Sequence, residues 1–490
     1  MKTRVEAAQN WPGFSEVISQ VKGAGSDVPQ HIRSTLLNCL KEQYSLLGLD
    51  LPKGFERLEN PNSRTITTGH QLQLFGGPAF LHYKVITAIR KANETGAVPV
   101  FWLASEDHDF AEISWVWGEN KKHIWDAKDS GSEVGRLPLH GLSEAFESWS
   151  GDLGVDVDDI AQTLASCSSL SYSQFYIKLM HLWYGDKGLV VIDASHKDLK
   201  NLFSNHFAKE LEGNGLRSLL NSHLPVKPRE INLFYSPKGG KRIGIIKEGG
   251  KIRSGDVELN AEGDEWEVWA KENAESLSPS VLLRPIYQEF VLPNSHVILG
   301  PSEMRYWMQI TDVFEEFGLN APTLFLRDHV LVVEREDADL LGELGWSIES
   351  GWVTSDDLVR LEIDSYLKRE FDGVGLVDLA NGVGVSEVVE GLGLDIDIKP
   401  LHSDVPFKEK KKVQKLVIKK AKQKVKKLLG SRVKRIKEAH SRIMRNRIPQ
   451  DRWCNFHVIS KSLGGFINLR DKLLETKGAE IPVMQMIVVG

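Results

Sequence analysis

Four ionisable side chains in a row, Glu106, Asp107, His108 and Asp109, follow directly on the apolar run VPVFWL at 98–103. Crowding such groups at the end of a buried strand is costly unless solvent, a cation or a substrate amine compensates them. Carboxylates beside an imidazole can move protons, orient an ammonium group or ligate a metal. A solvated loop with a helix-capping Asp or Ser would use the same letters, but charge massed at a strand end points more strongly to a site. No second ligand cluster accompanies the segment, so the four residues are taken as candidate catalytic groups and no metal is assigned.

Two further segments could assist them. Thr68-Gly69-His70-Gln71 leads into Phe75-Gly76-Gly77-Pro78. Gly76 and Gly77 permit positive φ and close approach of a ligand to the backbone. The free N–H groups of a helix starting there would favour an anion. His70 and Gln71 add hydrogen-bonding groups, and Lys84 adds a positive charge. An ordinary glycine-rich connection remains open, because the spacing is neither GxGxxG nor GxxxxGKS. The third segment pairs Arg284-Pro285-Ile286-Tyr287-Gln288 with Gly300-Pro301-Ser302-Glu303 and Tyr306. Glu303 and Tyr306 fall at i, i+3 on one helix face, although GPSE alone also suits an N-capping turn.

Positioning these groups requires strands whose ends meet. RTITT at 64–68, the glycine loop, a helix-periodic stretch at 79–93 and the strand at 98–103 form a βαβ unit, the building block of a doubly wound sheet. LVVID at 189–193, HVIL at 296–299 and TLFL at 323–326 read as further buried strands, with helices at 199–211 and 302–317. If these strands are parallel, the decorated ends open on one edge. The expected fold is therefore α/β, a doubly wound parallel sheet with two small insertions and a long C-terminal coiled coil. Core segments are expected at 1–114, 161–232 and 281–330, the first 60 residues being mostly helical. A connective insertion with a small β excursion is expected at 115–160. A β-rich one is expected at 233–280, with RIGII and WEVWA as its strands. A helical region at 331–400, the coiled coil at 401–475 and a tail at 476–490 with a last strand complete the chain. There is no internal repeat.

At ~150 residues per domain, 490 residues suggest about three domains. A hydrophobic content of 41% and a charged content of 26% exclude a disordered or fibrous chain. The net charge of −6 conceals an asymmetry: positions 408–447 hold eighteen Lys/Arg and two Glu, a net +16, leaving −22 on the remainder. Within that basic stretch Ile418, Ala421, Val425 and Leu428, then Leu429, Val433, Ile436, His440 and Ile443, keep a 3-4 spacing that slips near Gly430, as a coiled-coil seam would. Clustered Lys/Arg is also the footprint of nucleic-acid binding. The regular apolar spacing, the lack of stacking aromatics and the acidic remainder favour a dimerising helix instead. Cys39, Cys167 and Cys454 are odd in number and far apart, which fits a reducing cytosol. The N-terminus lacks the apolar core of a secretory signal, and no apolar run is long enough to span a membrane. A cytoplasmic protein is expected.

TGHQLQLFGGPAFLHYKVITAIRKA, VPVFWLASEDHDFAEI, RPIYQ and LGPSEMRYW together resemble the signature blocks of the bacillithiol biosynthesis cysteine-adding enzymes. GLVVIDASHKDLKNLF, INLFY, PQDRWCNF and GGFINL fit as flanking blocks, so the resemblance spans roughly 65–469. It implies a Rossmann-like core, two connective insertions and a coiled coil that pairs two subunits. It also implies a ligase for the last step of bacillithiol formation, joining cysteine to glucosaminyl-malate through an amide bond. TGHQ sits where nucleotidyltransferases and class I aminoacyl-tRNA synthetases carry a nucleotide-holding loop. On this basis Gly69, His70, Gln71, Gly76, Gly77, Lys84, Arg284, Tyr287, Gly300, Pro301, Glu303 and Tyr306 are the expected substrate-binding residues, Arg284 as a clamp for the malate carboxylate. Arg452 and Asn455 are the expected nucleotide contacts. The cofactor stays unknown, with ATP/ADP or another activating nucleotide as the open class. The competing readings are a nucleotidyltransferase-like enzyme that activates another small acid, and a non-enzymatic nucleotide-binding coiled-coil scaffold.

Overall fold

The apolar runs become the inner strands of one sheet, because strands covered on both faces have no polar side to present. A computed structural model describes residues 2–5, 20–127, 131–219, 226–237, 240–261, 265–347, 353–446, 448–475 and 484–489. Its central sheet contains β1 (Gln20–Val21), β2 (Thr65–His70), β3 (Val98–Leu103), β4 (Val190–Ile192), β5 (Asn294–Leu299) and β6 (Thr323–Leu326), in the order β1-β6-β5-β2-β3-β4. All neighbours run parallel except β1 and β6. The chain winds outward from β2 through β3 to β4, then returns to β5 and β6 on the other side. That reversal between β2 and β5 opens a crevice beyond the carboxyl ends of the strands.

Local sequence explains the parts. α1 (Gln30–Leu46) lies between β1 and β2 in the chain, and α2 (Phe80–Thr95) is the crossover from β2 to β3. Gly96 ends α2 with φ 73°, a left-handed cap that suits a residue without Cβ. At the switch point the Asn294 carboxamide oxygen accepts both the Thr65 and Thr67 hydroxyls, at 2.5 Å each, stitching β5 to β2 where their register shifts. α3 (Arg284–Val291) and α4 (Pro301–Ile310) bracket β5.

Short antiparallel strands occur within 115–160 and 233–280, with one exchange of type. In the first, Trp115–Trp117 pairs antiparallel with Lys122–Ile124. In the second, five antiparallel strands run in the order Val257–Leu259, Lys251–Ser254, Ile243–Glu248, Leu233–Tyr235, Leu277–Pro279. WEVWA, expected as a strand, lies in the helix Glu265–Glu272. Trp266 and Ala270 are its buried residues, a one-turn spacing that strand alternation cannot distinguish over five letters. The region expected to be helical from 331 opens instead on the strand His329–Glu334. Met484–Val489 lies parallel to it, and Lys2–Val5 is antiparallel on the outside.

The basic stretch forms two helices, α5 (Phe407–Leu428) and α6 (Gly430–Ile443), that part at Leu429. Their buried residues are Val417, Ala421, Val425, Val433, Ile436, Ala439 and Ile443. These face the chain's own helices Ser355–Glu370, Leu376–Asn381 and Val385–Gly391. Much of the expected seam is thus filled within one chain, while Leu428 stays exposed. No helix among the described residues is long and apolar enough to cross a membrane.

Candidate functional site

The crevice at the switch point is a cavity of about 990 Å³. The end of β2 contributes Gly69, His70 and Gln71, and the end of β3 contributes Glu106, Asp107 and His108. The loop after β4 supplies Ala194 and Ser195, α3 supplies Arg284, and the β5–α4 turn supplies Gly300, Pro301, Glu303 and Tyr306. Segments more than 200 positions apart in the chain therefore share one wall, as parallel strands with ends on a common rim must.

Lys84, on α2, is fully buried at the base. Its ammonium donates to both Glu303 oxygens, at 2.7 and 2.9 Å, and to the Gly69 carbonyl. Glu303 also accepts the Gly300 N–H at 2.7 Å, closing the first turn of α4. The expected role of Lys84 as a free anion holder is thus corrected, since its charge is committed to Glu303. Burial lowers the Lys84 pKa, with Glu303 opposing it. Burial works to raise that of Glu303, but Lys84 and His70 carry it below the usual carboxylate value. Burial and then Lys84 push His70 down to about 3, so its imidazole is neutral at physiological pH.

The acidic wall divides its labour. Asp107 accepts the Gln71 amide at 2.6 Å through Oδ2, and the His108 backbone N–H at 2.7 Å through Oδ1. Glu106 pairs with the buried ammonium of Lys200. His108 Nδ1 lies 3.0 Å from Arg242 Nη1. Because a guanidinium only donates, Nδ1 accepts and the ring proton sits on Nε2. Burial and Arg242 both lower the His108 pKa. His108 thus offers the crevice a donor, which leaves Glu106 and Asp107 as the proton acceptors of the run. Asp109 does not line the cavity; its carboxylate caps the short helix Phe110–Ile113 by accepting the Glu112 N–H.

Four other expected residues shape the site from behind. Gly76 and Gly77 have positive φ, 82° and 52°, and are buried; a Cβ on Gly76 would lie 2.5 Å from His82 Nε2. At the start of α2 the Ala79 N–H donates to the Cys454 carbonyl at 2.9 Å and the Leu81 N–H to the Pro78 carbonyl at 3.2 Å, so neither is free to hold an anion. Asn455, expected to contact a nucleotide, is buried and spends its amide on the carbonyls of Gly77 and Phe75, at 2.9 and 3.3 Å. Tyr287 is likewise buried, its hydroxyl donating to the Ala194 carbonyl at 2.8 Å. Arg452 does line the crevice. Arg284 also lines it, its guanidinium held by Gln288 at 2.8 Å and Tyr306 at 3.4 Å.

The insertions and the segment just before the second one add groups that local patterns missed. Arg242 and Arg229 line the cavity and stack on the Phe234 ring, 3.7 and 4.4 Å from its centroid. Arg242 is fixed by Ser278 Oγ at 2.8 Å and the Pro279 carbonyl at 3.1 Å. Residues 133–135 lie along the loop that follows β3, with Val134 N–H donating to Asp107 O and Gly135 N–H to Ser105 O. A Cβ on Gly135 would lie 2.6 Å from that of Ser105, which explains the glycine. This contact brings Glu133 behind Glu106; burial and the Glu106 charge lift its carboxyl to about 7. No signal within the chain's local pattern marks these residues, because their partners lie across the insertion boundary.

A profile of the bacillithiol biosynthesis BshC N-terminal Rossmann-like domain matches residues 6–328. A Flavobacterium johnsoniae protein named "Putative cysteine ligase BshC" is 32% identical over 378 residues, covering 72% of this chain and 70% of the relative. Proteins of the same name from Flavobacterium psychrophilum and Thermus thermophilus are 30% and 31% identical. They cover 88% and 58% of this chain, and 85% and 60% of their own lengths. Among solved structures, a tryptophanyl-tRNA synthetase from Encephalitozoon cuniculi aligns at 11% identity over 88% of this chain and 96% of its own, with a TM-score of 0.24, too low to bear on the fold.

Proposed function

The chain belongs to the BshC family of bacillithiol biosynthesis, and from that premise we propose that it is a ligase joining cysteine to glucosaminyl-malate, the step that completes bacillithiol. The observation that carries the reading is the shared cavity, with carboxylates Glu106 and Asp107 on one wall and the guanidinium of Arg284 on another. In the proposed reaction the sugar amine attacks an activated cysteine carboxyl carbon. The C–N bond forms, the bond to the activating group breaks, and the amine proton passes to Glu106 or Asp107. General-base help of this kind contributes about 10²–10⁴-fold. Arg284 suits the malate carboxylate, because its planar fork can donate two parallel hydrogen bonds. The protein acts in the cytoplasm as a homodimer paired through α5, where Phe407, Leu416 and Leu428 are exposed.

The test is direct. Purified protein is incubated with cysteine and glucosaminyl-malate, with and without ATP, and bacillithiol is measured by mass spectrometry. Product in either arm supports the ligase and identifies its need for nucleotide; no product in both arms rejects it.

A further inference from the structure

Behind the crevice, on the far side of the loop that carries Ala194 and Ser195, lies a second group of side chains. Cys39 is on the buried face of α1, and Glu42 follows on the same helix. His196 and Asp198 stand at the start of the helix Lys197–Leu202. Cys39 Sγ is 3.3 Å from His196 Nδ1, and Cys39, His196 and Asp198 each offer a ligand atom within 4.8 Å of the others. Glu42 Oε2 is 3.5 Å from His196 Nε2.

We propose that Cys39, His196 and Asp198 form a binding site for a zinc-class transition-metal ion. A tetrahedral ion with Zn–S of about 2.3 Å and Zn–N of about 2.0 Å sets neighbouring S and N atoms roughly 3.5 Å apart. The 3.3 Å between Cys39 and His196 is close to that spacing. A thiolate, an imidazole and a carboxylate select Zn²⁺ or Co²⁺ over Mg²⁺ or Ca²⁺, which take all-oxygen sets. Metal-bound histidines usually donate their other ring N–H to a carboxylate, which fixes the tautomer. Glu42 occupies that position. The Nδ1 lone pair meets the Asp198 backbone N–H at 3.3 Å, a long contact that the ion displaces. Three protein ligands leave a fourth position for water. The site ties α1 to the loop whose next residues line the cavity, so the ion braces that wall and takes no part in amide formation. Cys39 and His196 are 157 positions apart, which is why no spacing motif announces them.

Cobalt reports thiolate ligation directly. The full chain is stripped with a chelator and titrated with Co²⁺, following the thiolate-to-cobalt charge-transfer band and its loss on adding Zn²⁺. The expected result is one ion per chain, with the band abolished by Cys39→Ser and Asp198→Asn and kept in Cys167→Ala. Glu42→Gln should weaken Co²⁺ binding about 10–100-fold. Absence of the band in the unmodified protein, or its survival in Cys39→Ser, overturns the site. If Cys39→Ser fails to fold by circular dichroism, the exposed Asp198→Asn decides: a band of unchanged affinity rejects the proposal.

Discussion

Two runs of charge follow strands of the same sheet, and they have opposite fates. Glu106-Asp107-His108 follows β3, and Arg327-Asp328-His329 follows β6. The second run is paired throughout, although Arg327 also lines the cavity. Arg327 Nη2 and His329 Nδ1 both meet Asp451 Oδ2, at 2.7 and 2.6 Å, and Arg90 pairs with Asp328. Burial alone would raise the Asp451 pKa, but His329 and Arg327 hold it far below the usual range. The first run stays half-open, its side chains 16%, 30% and 42% exposed for Glu106, Asp107 and His108. Crowded charge at a strand end therefore does not by itself mark a site. What distinguishes the β3 run is that its carboxylates face the cavity and keep acceptor capacity, while the β6 run reaches it only through Arg327, whose charge is paired with Asp451.

Substitutions can break or sharpen that contrast. The largest effect belongs to the open run. Glu106→Gln and Asp107→Asn should each lower kcat/KM for bacillithiol formation by up to about 10²–10⁴-fold. Asp107→Asn should keep a melting temperature close to the parent, while Glu106→Gln should also lose stability because Lys200 is left buried without its counter-charge. Full activity in both variants would remove the β3 run from the chemistry. Asp451→Ala should act the other way, costing about 3–5 kcal/mol in denaturant titration, because Arg327 and His329 would be left buried without a counter-charge. Unchanged stability with lost turnover would assign the β6 run a part in the chemistry instead. A smaller effect is expected at Arg284→Lys. It should raise KM for the malate-bearing substrate about 10-fold while largely sparing kcat, since a charge-assisted hydrogen bond is worth roughly 1.5–3 kcal/mol. An unchanged KM would exclude the carboxylate clamp.

The mildest test concerns Glu289, a buried carboxyl on α3 that receives hydrogen bonds from Gln288 and Asn294, with the Arg284 charge too weak an influence to offset its burial. Burial raises it from 4.5 to about 8. A carboxyl raised in the fold is neutral there, so its contribution is full below its ordinary value and is lost as pH climbs from about 4.5 through about 8. Glu289→Gln should flatten the stability profile across that window. A profile that still falls equally steeply would assign the loss to another group.

Much of the fold was legible because it is local. The β-branched RTITT segment marked β2 and apolar runs marked β3 to β6, with boundaries within two residues, and α2 ended near Asn93 as its periodicity implied. Departures arose where local information is thin. Five letters of WEVWA fit either period, and the strand at His329 lay in a stretch judged by its later helices. The site divided similarly. Thirteen of the eighteen expected residues line the cavity, because strand ends and their turns are written contiguously. Asp109, Gly76, Gly77, Tyr287 and Asn455 were identified as site residues yet support the cavity from outside its lining.

By itself the chain's order determined which residues sit at strand ends, where helices start, and that those ends could converge. Only the tertiary structure decided what each group does once there. Lys84 is neutralised by Glu303 across 219 positions, Asn455 is spent on Gly77 across 378, and Arg242 reaches His108 across 134. A side chain's charge state and free hydrogen-bonding capacity depend on the nearest groups in space, and local periodicity carries no information about neighbours that far along the chain.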